Sequence, residues 1–249
     1  MQLKVDKAEI YFETCGDTSN PPLVLWHGAG CTLRMWDKVI PGLSSKFYVI
    51  AFDIRGAGKS INYDESLESF SLNQYSDDLN QILRKLGLKK IHIWSMAWGT
   101  RAALAYMTLF PHKIFSAVFS DASIDKADLE AQKSGLKDAL KKQDEAGLGR
   151  HDMPKGWNEH LNSETAQLSI SAAAKFDFTE VIKKIDFPFL VMTGDHDPNL
   201  YSSKEMVKGS EFGQIKILEG VGHGSVLQRP DLTLEEFLNW HQEIRDSYA

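Results

Sequence analysis

Short apolar runs recur along the chain: "PLVLWH" (22–27), "FYVIAFD" (47–53), "KIHIWS" (90–95), "IFSAVFSD" (114–121), "FPFLVMTGD" (187–195) and "QIKILEG" (214–220). They are nearly continuous rather than alternating, as strands buried on both faces are. Between them lie stretches of helical periodicity, Leu72–Leu86 and Trp98–Phe110. Buried strands alternating with helices predict an α/β fold, with a mostly parallel sheet of about eight strands flanked by helices. The opening "LKVDKAEIYFETCG" alternates and is short, so its two strands are expected to run antiparallel. One stretch breaks the rhythm. From Ser123 to Lys184 no strand is evident, and Ala, Lys, Glu and Gln dominate. Two to four helices are expected there, separated by the glycines and proline of "AGLGRHDMPKGW". The expected division is therefore a core of residues 1–122 and 185–249, with a helical insert at 123–184 placed as a lid over the strand ends.

Composition narrows the function classes without naming one. The chain has 249 residues, 43% of them hydrophobic and 25% charged, enough for one α/β domain with a sizeable core. A net charge of −6, with no clustered Lys and Arg, argues against nucleic acid as a partner. No apolar stretch approaches the length of a membrane span. The N-terminus lacks the apolar run of a signal peptide, so a cytosolic protein is expected, with Cys15 and Cys31 reduced.

The candidate chemistry sits at strand exits. "IWSMAWG" (93–99) turns abruptly from strand-formers to small residues and then to a helix. In the strand–turn–helix motif G-x-S-x-G, this chain has Ala97 in place of the serine and Ser95 in place of the first glycine. Trp98 would present its backbone N–H at a helix N-terminus, where oxyanions are stabilised. "LWHGAG" (25–30) ends a strand in a glycine-rich loop, with the Ala29 N–H as the second oxyanion donor. "DIRGAGKS" (53–60) lacks phosphate-loop spacing, so Asp53 and Arg55 are expected to be paired rather than catalytic. "TGDHDP" (193–198) brings Asp195 and Asp197 to another strand exit, and "GVGHG" (220–224) sets His223 on a glycine-flanked turn.

Taken in order, "HGAG", "DIRGAGKS", "SMAWG", "GDHDP" and "GVGHG" resemble the α/β-hydrolase family over nearly the whole chain. The resemblance implies Asp197 as the triad acid and His223 as the base. Asp195 becomes a structural neighbour, the 123–184 insert a cap, and Asp121 a backup acid ranked below Asp197. Ala97 departs from the pattern, because it gives His223 no oxygen to deprotonate. The favoured explanation is a serine replaced by alanine so that a substrate is held intact; a naturally inactive ligand receptor is second.

The expected function is thus a serine hydrolase of a carboxylic ester or lactone with an apolar portion, here without its nucleophile and needing no metal or organic cofactor. A dehalogenase or epoxide hydrolase with an Asp nucleophile, or a carbon–carbon hydrolase, would use the same fold. His27, Gly28, Met35, Trp36 and Trp157 are expected to line an apolar, aromatic pocket. His151, Asp152 and His160 lack metal-ligand spacing and read as a hydrated surface, as does the charged run Lys137–Glu145.

Overall fold

The apolar runs form strands within a residue or two of their predicted limits. The computed structural model describes residues 1–64, 66–124, 141, 144–147, 152–171 and 178–247. Its strands are β1 (Gln2–Val5), β2 (Ala8–Cys15), β3 (Pro22–Trp26), β4 (Tyr48–Phe52), β5 (Ile61–Asn62), β6 (Ile91–Met96), β7 (Ile114–Ser120), β8 (Phe189–Gly194) and β9 (Gly213–Leu218). They make one sheet in the order β1-β2-β4-β3-β6-β7-β8-β9, with β5 on β2. The first two strands pair antiparallel, as their alternation predicted, and β2 also meets β4 antiparallel. From β4 to β9 every pairing is parallel. The two-residue β5 is too short to leave a hydrophobic period, which is why about eight strands were expected.

Because strand side chains alternate in direction, consecutive residues of the central strands enter two separate cores. Val24, Trp26, Ile50, Phe52, Ile93, Phe119 and Val191 belong to one cluster. Leu23, Leu25, Val49, Ala51, Trp94, Val118 and Met192 belong to the other. Each of these Val, Leu, Ile, Phe and Met side chains, withdrawn from water, stabilises the fold by about 1.5–3 kcal/mol.

Helices α1 (Ile40–Leu43), α2 (Leu72–Leu86), α3 (Trp98–Leu109), α4 (Ser163–Ser169), α5 (Thr179–Ile182), α6 (Leu200–Val207), α7 (Ser225–Gln228) and α8 (Pro230–Ser247) accompany the sheet. Helix α2 has the predicted limits. Ser71 caps it by accepting from the Gln74 N–H, and Gly87 ends it at φ 71. Helices α2 and α3 cover the first core, whereas α8 supplies Phe237 and Trp240 to the second. Among the described residues of 123–184 there is no strand, and α4 and α5 lie there. The run Lys137–Glu145 falls largely outside the described residues, as does His151.

Candidate active site

Three turns at the carboxyl edge of the parallel sheet carry the site. The first joins β6 to α3 at Ala97, which adopts φ 49 and ψ −115. A residue with a Cβ in this region costs of order 1–3 kcal/mol and persists only where its surroundings impose it. The turn is imposed by the Ala97 N–H, which donates to the Ser120 carbonyl at 2.7 Å, and by tight packing behind it. A Cβ on Gly99 would stand 2.5 Å from the His27 carbonyl oxygen and 2.7 Å from that of Trp26, so only glycine fits. Ser95 is fully buried, with its hydroxyl 3.0 Å from that of Thr100.

The second and third turns meet each other. His223 Nδ1 lies 3.1 Å from Asp197 Oδ1; the histidine side chain is 25% exposed and the carboxylate is fully buried. The Asn199 N–H also donates to Asp197 Oδ1, at 2.9 Å, and the Thr193 hydroxyl donates to Oδ2 at 3.1 Å. Burial opposes ionisation of Asp197, but the hydrogen bond and charge of His223 outweigh it and hold the carboxyl below the usual range. Burial likewise favours neutral His223, yet Asp197 raises the imidazole above the ordinary histidine value. The acceptor contact fixes the Nδ1–H tautomer, leaving Nε2 as the basic nitrogen. The two turns can approach because residue 194 is glycine. A Cβ there would lie 1.8 Å from the Val221 carbonyl oxygen.

The loop after β3 runs beside the elbow: a Cβ at Gly28 would be 3.8 Å from that of Ala97. Among the described residues, neither the Ala29 N–H nor the Trp98 N–H, at the first position of α3, donates to a protein acceptor. His27 is spent on structure. Its Nε2 accepts from the Ile54 N–H at 3.1 Å, its Nδ1 faces the Gly28 carbonyl at 2.9 Å, and burial keeps it neutral. Met35 and Trp36 are fully buried in the second core, Trp36 edge-on to Trp94 at 5.3 Å. Trp157 packs on the border of that core, and its carbonyl accepts from the Thr32 N–H at 2.7 Å.

Asp53 and Arg55 are both paired, though not with each other. Arg55 binds Asp78 through two bonds of 2.9 and 2.7 Å, and Asp53 accepts from the Leu33 and Lys59 N–H groups. His160 is not simply hydrated: its Nδ1 accepts from the Gly58 N–H at 2.9 Å, and its Nε2 faces the Gly30 carbonyl at 3.2 Å. Thus it ties the 152–171 segment to two core loops. The Trp98 indole N–H adds a further tie, to the Ile170 carbonyl at 2.8 Å. Among the described residues no cluster of His, Cys, Asp and Glu could hold a metal ion, and no helix is long and apolar enough to cross a membrane.

Three supporting residues escape a motif search. Gln228 braces the histidine turn, accepting from the Gly222 N–H at 3.1 Å and donating to the His223 carbonyl at 2.5 Å. Thr193 and Asn199 hold Asp197, and the only sequence signal for them is their closeness to it.

Residues 21–155 match the sequence profile of the alpha/beta hydrolase fold. The chain is 25% identical to a proline iminopeptidase of Lactobacillus helveticus, with 94% of this chain and 96% of that protein aligned. It is 22% identical to 3-oxoadipate enol-lactonase 1 of Acinetobacter baylyi, with 92% of each covered. A thermophilic esterase from Thermogutta terrifontis superimposes with a TM-score of 0.80 at 18% identity, covering 98% of this chain and 99% of that one.

Proposed function

The chain belongs to the α/β-hydrolase fold family, and from that premise we propose that it is a serine-type hydrolase of a small carboxylic ester or lactone, held without turnover by Ala97. At the coarser level it is a hydrolase of the esterase, lactonase or peptidase kind. The observation that carries the finer proposal is the strained turn at Ala97, which keeps a costly backbone geometry while lacking the atom that geometry serves.

With Ala97→Ser, the introduced hydroxyl oxygen bonds to the substrate carbonyl carbon as its proton passes to His223 Nε2. Asp197 holds the imidazole in the required tautomer and stabilises its charged form. The carbonyl electron pair moves onto oxygen, facing the unpaired N–H groups of Ala29 and Trp98. Collapse of this intermediate expels the alkoxide oxygen, which takes the proton from His223. Water then repeats the sequence and releases the acid. Segment 123–184 serves as a cap in this proposal, with residues 1–122 and 185–249 as the core. Its support is the set of hydrogen bonds that fasten 152–171 to the loops beside the elbow.

The peptidase-type relatives favour amide hydrolysis as a second reading. One panel separates the two: p-nitrophenyl esters, lactones and a prolyl arylamide, each given to the chain and to Ala97→Ser. Ester or lactone turnover is expected only with Ala97→Ser, at roughly 10⁶ times the rate of the unaltered chain. A serine-directed organophosphonate should label the same variant at position 97. Turnover of the arylamide alone would transfer the assignment to the peptidases. No turnover and no labelling would leave a ligand receptor or an Asp-nucleophile parent.

A further inference from the structure

A second buried carboxyl stands behind the Asp197–His223 pair, and the hydrolytic steps above do not use it. Asp121 follows β7, is fully buried, and holds φ 53, a left-handed backbone that an ordinary side chain adopts at a cost of about 1–2 kcal/mol. Its Oδ2 accepts three hydrogen bonds: from the Gly224 N–H at 3.1 Å, the Ser225 N–H at 2.7 Å and the Ser225 hydroxyl at 2.9 Å. These donors begin at the residue immediately after His223. Asp121 Oδ1 is also buried, and no donor reaches it among the described residues. Asn199 joins this acid to Asp197, its N–H donating to Asp197 Oδ1 at 2.9 Å and its side-chain amide to the Asp121 carbonyl at 3.0 Å.

Two neighbouring carboxylates, both shielded from water, cannot both be ionised at low cost. A single proton between them removes the repulsion and makes the unpartnered Oδ1 a donor. Their other neighbours decide which acid keeps it. Asp197 faces the imidazole of His223 and is favoured as the anion. Asp121 faces two amides and a hydroxyl, which a neutral carbonyl oxygen also accepts.

We infer that Asp121 is a positioning residue that stays protonated, its Oδ1–H donated to Asp197 and its Oδ2 fixing the turn that carries His223. The role given to His223 rests on the function proposed above; the proton on Asp121 does not. Burial and then the charge of Asp197 push the Asp121 carboxyl up to about 8, against the opposing pull of His223 and Ser225, while Asp197 is held low. Adjacent acids whose environments drive them apart in this way divide their tasks: one is charged and the other donates.

The chain with Ala97 unchanged is the material for the test, so no turnover is needed. Isotope-edited infrared difference spectra between it and Asp121→Asn, at about pH 6 and well above the ordinary Asp value of ~3.9, should show a protonated-carboxyl band that the variant loses. The NMR titration midpoint of His223 should be the same in both, because a neutral amide replaces a neutral acid with the same donor and acceptor. Asp121→Leu can neither donate nor accept, and should lose the slowly exchanging His223 Nδ1–H resonance. Should Asp121→Leu fail to fold, Asp121→Asn remains decisive. Absence of the carboxyl band would overturn the inference. So would a fall in the His223 midpoint of about one pH unit or more in Asp121→Asn, the effect of removing a charged neighbour within about 4–6 Å. If Ala97→Ser turns over nothing, the hydrolase proposal falls while the spectra still judge Asp121.

Discussion

Asp197 and Asp121 are both buried and both bonded by Asn199, one beside His223 and the other beside the residues after it, yet their hydrogen bonds assign them different work. Asp197 accepts from the imidazole, whereas Asp121 accepts from the backbone beyond it. In an Ala97→Ser background, Asp197→Asn should lower kcat by roughly 10⁴, because the amide favours the wrong imidazole tautomer. Asp121→Asn should cost far less, since it preserves every bond proposed for the protonated acid. Steady-state kinetics of the two variants check this ranking, and a larger loss from Asp121→Asn would reverse the assignment. At this scale the sequence was legible wherever a residue sat in a short motif. The strand-exit motifs that hold Asp197 and His223 pointed to the two residues that bond each other. The partners of Asp121 were not legible, because its bonds to Gly224 and Ser225 span over a hundred residues. The ring of His27 was illegible for a related reason, because its bond from the Ile54 N–H spans 27 residues.

The strand–turn–helix unit around Ala97 depends on close backbone approach, and that dependence is testable apart from activity. Gly99→Ala would press a methyl into the carbonyls of Trp26 and His27, which belong to backbone and cannot rotate away. Strain of this kind costs typically 1–3 kcal/mol, so a lower midpoint in urea unfolding is expected. A Gly99→Ala midpoint equal to that of the parent would mean that the turn is looser than its geometry. The proposed cap makes a different prediction. Trp157→Ala, in the Ala97→Ser background, should alter selectivity among esters of different acyl length more than it alters the unfolding midpoint. An unchanged substrate profile would count against a lid. Elements were readable where period and punctuation agreed, as in α2 between Ser71 and Gly87. Helix α8 carried its own signal, with Pro230 at its start and apolar residues at Leu234, Phe237, Leu238, Trp240 and Ile244.

Across the whole molecule, a histidine pair far from the elbow ties stability to pH. His92 and His241 lie edge to face at 4.9 Å, against Phe47. Burial, then the charges of His241 and Lys90, pushes His92 down to about 3. Burial, then Arg245 and Lys46, pushes His241 down to about 4. An unfolded histidine titrates near ~6.5, so below that value the unfolded chain binds protons that the folded chain refuses. The stability of this pair is therefore complete above about pH 6.5 and falls on acidification through about pH 4, by up to ~1.4 kcal/mol per pH unit for each proton. Thermal melts between pH 7.5 and 4.5 should show the decline. His241→Phe should flatten it, since the imidazole Nε2 is buried without a partner among the described residues. An identical slope in that variant would place the acid sensitivity elsewhere. Strand order was the least legible feature, because periodicity says that strands exist and not which ones touch. The register between β7 and β8 has a consequence of its own. Ala117 pairs with Phe189, about seventy residues on, and no described residue between Ser120 and Phe189 belongs to the sheet. The entropy of closing such a loop grows as the logarithm of its length, and each doubling adds only about 0.6 kcal/mol. Insertions between β7 and β8 thus cost the sheet little, and the joining chain can grow without weakening the pairing of the strands it links.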